Sequence, residues 1–176
     1  MESAVDCFDA AMECGRYGEE GDGFTGYINW HGTEALVRNA RFTLIESDGS
    51  ILWRHGMWES GTWSHGQWQS GTWQSGTWRN GSWLGGTWED GDWLDGWWYD
   101  GVWKQGRWHR GVWFMGEWQS GAWNAGAWVD GTWHGGVWVD GTWHGGTWLR
   151  GLWRSGTCLA AGHVDEDTRL FHPGEL

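Results

Sequence analysis

Apolar residues recur along most of this chain with a period that belongs to neither helix nor strand. From Trp53 to Trp153 a tryptophan occupies every fifth position, 21 in succession. A glycine series from Gly56 to Gly156 runs in step, two residues ahead of the next Trp slot. The unit is Gly-x-Trp-x-x. A helix repeats at 3.6 residues and a strand at 2.0, so neither sets every fifth residue on one face. A coil with one short, nearly straight side per five residues does. Four such sides would close a square of 20 residues, and stacked squares would pair through their backbones about 4.8 Å apart.

Elimination shows which column of the unit points inward. Thr62, Gln67, Thr72, Asp92, Arg107 and Glu117 stand just before a Trp. Arg54, Glu59, Gln69, Lys104 and His109 stand just after one, and Ser60, Asp90, Asp95, Arg110 and Asp130 follow those. All three columns carry charges, which are rarely buried unpaired. Only the Trp and Gly columns are free of charge. Tryptophan must form the core, with glycine making room for it by its small volume. In a 20-residue coil Trp53, Trp73, Trp93, Trp113, Trp133 and Trp153 form one core column. At four units per coil the tandem stretch predicts about five coils, a rod near 25 Å long.

The pattern resembles the pentapeptide-repeat family, whose unit Ala-(Asp/Asn)-Leu-x-x also turns a small and a large residue inward, two apart. Residues 35–39 (Ala-Leu-Val-Arg-Asn) and 40–44 (Ala-Arg-Phe-Thr-Leu) look like two such units in a more orthodox form. The resemblance covers roughly Ala35 to Cys158. It implies an all-β solenoid, a right-handed quadrilateral β-helix.

The flanks follow other patterns. Val5, Phe8 and Met12 share one side of a helix expected over residues 2–15, a cap on the first coil or a docking element. An acidic, glycine-rich linker follows to Gly26, so residues 1–26 form one segment. An irregular first coil is expected over 27–50. Phe42 and Trp53 are 11 apart rather than 10, which places one inserted residue in a bulged corner at 47–50. The regular β-helix spans 51–158. Residues 159–176 are expected to cover its far end and then fray.

Charge and composition narrow the function classes. The chain holds 23 Trp and 33 Gly in 176 residues, with a net charge of −12. Some members of the family are acidic rods that resemble duplex DNA and inhibit type II topoisomerases. Here residues 51–157 hold nine acids against seven bases; the acidity lies at the ends. A DNA mimic needs its negative field along the rod, so this is the runner-up reading. Direct nucleic-acid binding wants a basic face and is not expected. There is no long apolar run or signal-peptide pattern, and cytoplasmic residence or incorporation in a virion or other assembly is expected. Cys7, Cys14 and Cys158 are expected as free thiols, with a Cys7–Cys14 metal or disulfide pair as the weaker alternative.

Candidate chemistry is sparse. His134 and His144 share a Thr-Trp-His-Gly-Gly context, but ten residues is half a square coil, so they should face opposite ways. His109 falls on a third face, and His55 and His134 lie coils apart. No metal site or cofactor is expected. Glu89, Asp90, Asp92 and Asp95 crowd one corner, an acidic edge or a weak calcium site. No nucleophile stands with a base, and flat faces offer no catalytic pocket, so no enzyme is expected. The stretch 96–99 (Gly-Trp-Trp-Tyr) resembles sugar- or choline-binding modules locally, a third and weaker reading. The expected role is a rigid, non-catalytic scaffold or spacer that associates with itself or with protein partners, a phage or virion component being one setting. The expected interface is an apolar corner of Leu94, Trp97, Tyr99, Val112, Phe114 and Met115, with Leu94 directly beneath Phe114.

Overall fold

The computed structural model describes residues 5–6, 23–159, 162–164 and 171–173, with side chains over 23–159. Four strands precede the short-stranded repeat, the first being β1 (Val5–Asp6). β2 (Phe24–Trp30) and β3 (Thr33–Ile45) pair antiparallel, and β3 pairs antiparallel with β4 (Ser50–Trp63). From β5 (Gly66–Trp68) onward the chain is a parallel β-solenoid built from strands of two or three residues, ending at Thr157–Cys158.

The coil has three sides, not four. Each strand pairs with the third strand after it: Thr72 with Thr87, Trp73 with Trp88, Trp93 with Trp108, Trp98 with Trp113. At three tryptophans per coil the 21 of the tandem stretch make seven coils rather than five. Each core column therefore takes every third Trp. Trp53, Trp73, Trp93, Trp113, Trp133 and Trp153 are all buried, yet they are spread over the three columns instead of forming one.

Trp53 through Trp143 are fully buried, and Trp148 and Trp153 nearly so. Within a column the indoles stack with their planes nearly parallel: the ring centroids of Trp98 and Trp113 lie 4.7 Å apart with planes 5° from parallel. Between columns they meet edge to face, as Trp98 and Trp103 do at 5.9 Å and 72°. The edge-to-face contacts are favoured by the aromatic quadrupole, as parallel stacking is where the rings are offset. Fourteen of these indole N–H groups are buried without a partner. Four others donate to a carbonyl at the corner of the coil above, as Trp118 does to Gly135 at 3.1 Å. An orphaned N–H costs about 1–3 kcal/mol. Burying an indole of about 200 Å² gains about 5 kcal/mol, so removal of the ring from water outweighs the lost hydrogen bond.

The glycines are present for conformation as well as size. Those of the series from Gly56 to Gly156 have φ between 96° and 135°, a region open to glycine alone. A Cβ on Gly101 would also fall 2.5 Å from the Gly86 carbonyl oxygen in the coil below. The expectation that glycine serves volume beside the indoles is thus corrected: backbone meets backbone here, and the Trp83 indole nitrogen is only the third-nearest atom, at 3.3 Å. Each unit then forms two ladder hydrogen bonds. Val102 donates to Gly86 and Lys104 to Trp88, at 2.9 and 2.8 Å. The residue before glycine finishes the corner. Asp100 accepts from the Gly101 N–H at 2.7 Å, and Ser70 donates to the Arg54 carbonyl at 2.7 Å.

The N-terminal end departs from the sequence reading. Residues 27–45 are not solenoid coils; the two family-like units lie in β3, along an antiparallel partner. The 47–50 insertion is the β3–β4 hairpin turn, where the Gly49 N–H donates to Ile45 and Ser50 to the Asp48 side chain. Antiparallel pairing closes the rod's first edge, and Trp30 and Phe42 cover its indoles. Trp30 meets Trp63 edge-on at 5.0 Å, and Phe42 stacks on Trp53 at 5.8 Å. Of the helix expected over 2–15, Val5–Asp6 form instead a short strand, β1, parallel to β2; its other residues, with Cys7, Cys14 and the linker up to Asp22, lie outside the described residues. At the far end Gly162–Val164 and Phe171–Pro173 pair antiparallel, the second strand lying near Thr147–Trp148. The remaining residues of the 159–176 cap lie outside those described. No helix among the described residues is long and apolar enough to cross a membrane.

Candidate interaction surface

Two columns of outward side chains on each side, before and after its Trp column, distinguish the three sides of the rod. On the side whose core column runs from Trp53 to Trp143, the residues before each Trp are Leu52, Gln67, Ser82, Trp97, Val112, Ala127, Thr142 and, before Cys158, Thr157. The residues after are Arg54, Gln69, Leu84, Tyr99, Phe114, Val129, His144 and Leu159, joined by the same ladder. Alternation along a two-residue strand turns both sets outward while the Trp between them turns in.

Five of the six expected interface residues come together on this side, through a register other than the expected one. Trp97 pairs with Val112, and Tyr99 stacks on Phe114 at 4.9 Å with ring planes 14° apart. Met115 follows at the corner. Trp97, Tyr99 and Met115 are 48, 41 and 50% exposed. Leu94 is the exception. In a three-sided coil it stands one coil and one further side away from Phe114, where it flanks Trp93 in another column. Sequence reasoning missed Leu84 and Val129, which extend the row above and below. Leu84 is one coil from Tyr99 and Val129 one coil from Phe114, so the correct coil length would have found them.

The acidic corner divides among neighbouring coils. Glu89 pairs with Lys104 at 2.8 Å, Asp95 with Arg110 at 3.0 Å, and Asp92 with the ring of His109 at 3.2 Å. Asp90 accepts from the Gly91 N–H and from Gln105. These carboxylates are held by their own chain, which leaves the expected calcium alternative without converging oxygens. An open recess beside them is lined by Asp90, Asp92, Gln105, Arg107, Ser120 and Val137. His134 and His144 stand on adjacent sides, His109 on the third, and His55 several coils from His134. No group of three or more metal-binding side chains occurs among the described residues.

A second constellation sits at the capped end. His31 and His65 lie 5.2 Å apart, and their Nε2 atoms reach the Gly49 and Asp48 carbonyls at 3.1 Å. The hydrogen bonds from Ser50, backbone first and then side chain, hold the Asp48 carboxyl below its ordinary value. These contacts tie the hairpin turn to the first coil. No family model, curated protein or solved structure matches the chain, so the likeness to pentapeptide-repeat proteins rests on the five-residue unit, and the structure adds a parallel β-solenoid with three units per coil.

Proposed function

We propose that this protein is a non-catalytic, rigid scaffold or spacer that works through association with itself or with other proteins, within a larger assembly such as a virion or in the cytoplasm. The observation that supports this best is the unbroken triple stack of indoles. Close-packed rings in register from Trp53 to Trp153 leave little room for bending, because interiors of this density deform at high cost. The rod is covered at its first coil by Trp30 and Phe42, which favours a part of defined length. Regular flat sides suit docking, and one of them concentrates apolar side chains as interfaces do.

Stiffness tests this reading directly. Gln69 and His144 lie on one side, five rungs apart, about 24 Å at the strand spacing. Spin labels at these two positions, in protein diluted with unlabelled chain, should give one narrow distance distribution near that value. A broad or multimodal distribution would sink the rigid-spacer reading.

A further inference from the structure

We propose that the apolar side of the rod is an isologous interface, and that its occupant is a second copy of this chain lying antiparallel across it. This rests on the scaffold reading and specifies its partner. The carrying observation is where the patch sits. The side has eight parallel rungs, from residues 52–54 to 157–159, preceded by one antiparallel rung of β3 that pairs Phe42 with Trp53 and Thr43 with Leu52. The apolar residues Leu84, Tyr99, Phe114 and Val129 occupy the four middle rungs, and Trp97, Val112 and Ala127 lie beside the last three of these. A two-fold axis running along the strand direction, between the Trp98 and Trp113 rungs, maps the row Leu84, Tyr99, Phe114 and Val129 onto itself. An isologous contact demands that self-complementarity.

Along that row and beside it the pairs are complementary, while the axis sets Ala127 against Ser82 and Met115 against Asp100 at the margins. Trp97 of one copy meets Val112 of the other, large against small. Tyr99 meets Phe114, Leu84 meets Val129, and Gln69 meets His144 at the polar rim. Charge is also right. In the two outward columns of this side Arg54 is the sole Asp, Glu, Lys or Arg, and the axis sets it opposite Leu159; at the corner beside Met115 it sets Asp130 opposite Gly85. The other two sides carry Glu59, Glu89, Lys104 and Glu117, and Arg79, Asp92, Arg107 and Arg154, in the same columns. Core depletion of charge with aromatic enrichment is the compositional mark of an interface. The size sets the strength. Eight rungs by one five-residue side is about 600 Å² of flat area per copy at strand dimensions, below the about 800 Å² of a standard interface. An area this small suits a reversible dimer, and a micromolar Kd is the expectation to be tested.

Sedimentation equilibrium on the full chain, from about 1 to 200 µM, a range that brackets a micromolar Kd, tests this. A reversible monomer–dimer equilibrium is expected. Phe114→Asp should weaken it at least tenfold, while Val139→Asp, the corresponding position on another side, leaves it unchanged. A dimer that survives Phe114→Asp, or is lost equally in Val139→Asp, overturns the proposal. A second measurement leaves the apolar rungs untouched and labels the polar rim. Mixing chains labelled at Gln69 with chains labelled at His144 should give a short intermolecular distance, and Gln69-labelled chains alone a long one, spanning five rungs; the reverse order overturns the antiparallel arrangement. A monomeric wild type also overturns it. In that case acrylamide quenching of Trp97 tells whether the side is open to a different protein or covered by the chain's own N-terminal residues. A monomer that still gives a narrow intramolecular 69–144 distance leaves the scaffold reading standing.

Discussion

Gly101 lies directly over Gly86, so close that a methyl group on the upper residue would meet the lower carbonyl oxygen at 2.5 Å. That contact recurs up the corners of the rod and sets the distance between coils. Gly101→Ala must strain a φ of 125° and push one coil from the next. The dihedral strain alone costs about 1–3 kcal/mol. Denaturant melts should show at least this loss, and Trp103→Leu in the same chain should not recover it, since the clash is with backbone. Recovery in the double mutant would return the role of glycine to volume.

Burial of the indoles is open to fluorescence. Emission should lie to the blue of hydrated indole and resist acrylamide, apart from a small fraction from Trp97, which is 48% exposed. Trp97→Phe should remove that fraction. Emission typical of hydrated indole from the folded protein would contradict the stacked core.

The three-sided register can be tested by charge. Glu89 and Lys104, one coil apart when a coil has three sides, are hydrogen-bonded; Glu89 and His109 would be neighbours only in a square coil. A double-mutant cycle on Glu89→Gln and Lys104→Met should give a coupling of about 0.2–1 kcal/mol, as expected for an exposed pair. The cycle with His109→Gln should give none. The opposite ranking would restore the four-sided coil.

The rod's first coil depends on its cover. Trp30→Ala would uncover the indoles of Trp58 and Trp63 and remove a buried ring, at a cost of about 3–5 kcal/mol. The uncovered end should also raise the tendency to aggregate, read by light scattering. A variant as stable and monodisperse as the wild type would show that β2 is not a cap.

Asp48 gives the hairpin turn a dependence on pH. Its carboxyl is held below the ordinary value of 3.8 by the hydrogen bonds from Ser50. A group lowered on folding contributes its stability above the unfolded pKa and loses it as pH falls through the folded one. The turn should therefore hold at neutral pH and weaken only below that ordinary value. Asp48→Asn should remove this acid response in amide-exchange measurements on residues 45–50; an unchanged response would assign it to another group.

The five-residue period and the charges in three of its five columns were enough to place Trp53 through Trp153 inside a coil, because a charge cannot be buried unpaired at so many positions. They could not count the sides. Three units or four both return every Trp to the interior, and a five-residue period is silent between them. Packing decides. Indoles of neighbouring columns meet at 64–78°, short of the right angle that a square section would set between adjacent sides. Three rings in edge-to-face contact fill the interior of a coil, and the positive-φ glycines supply the sharper corner a triangle needs. From that follow the features hidden in the chain: the Glu89–Lys104 pair, the stacking of Tyr99 on Phe114, and the removal of Leu94 to another side. The family-like units at 35–44 misled for a related reason. Their apolar spacing fits a solenoid rung or an antiparallel strand equally well, and only the need to close the rod's first edge made them the latter.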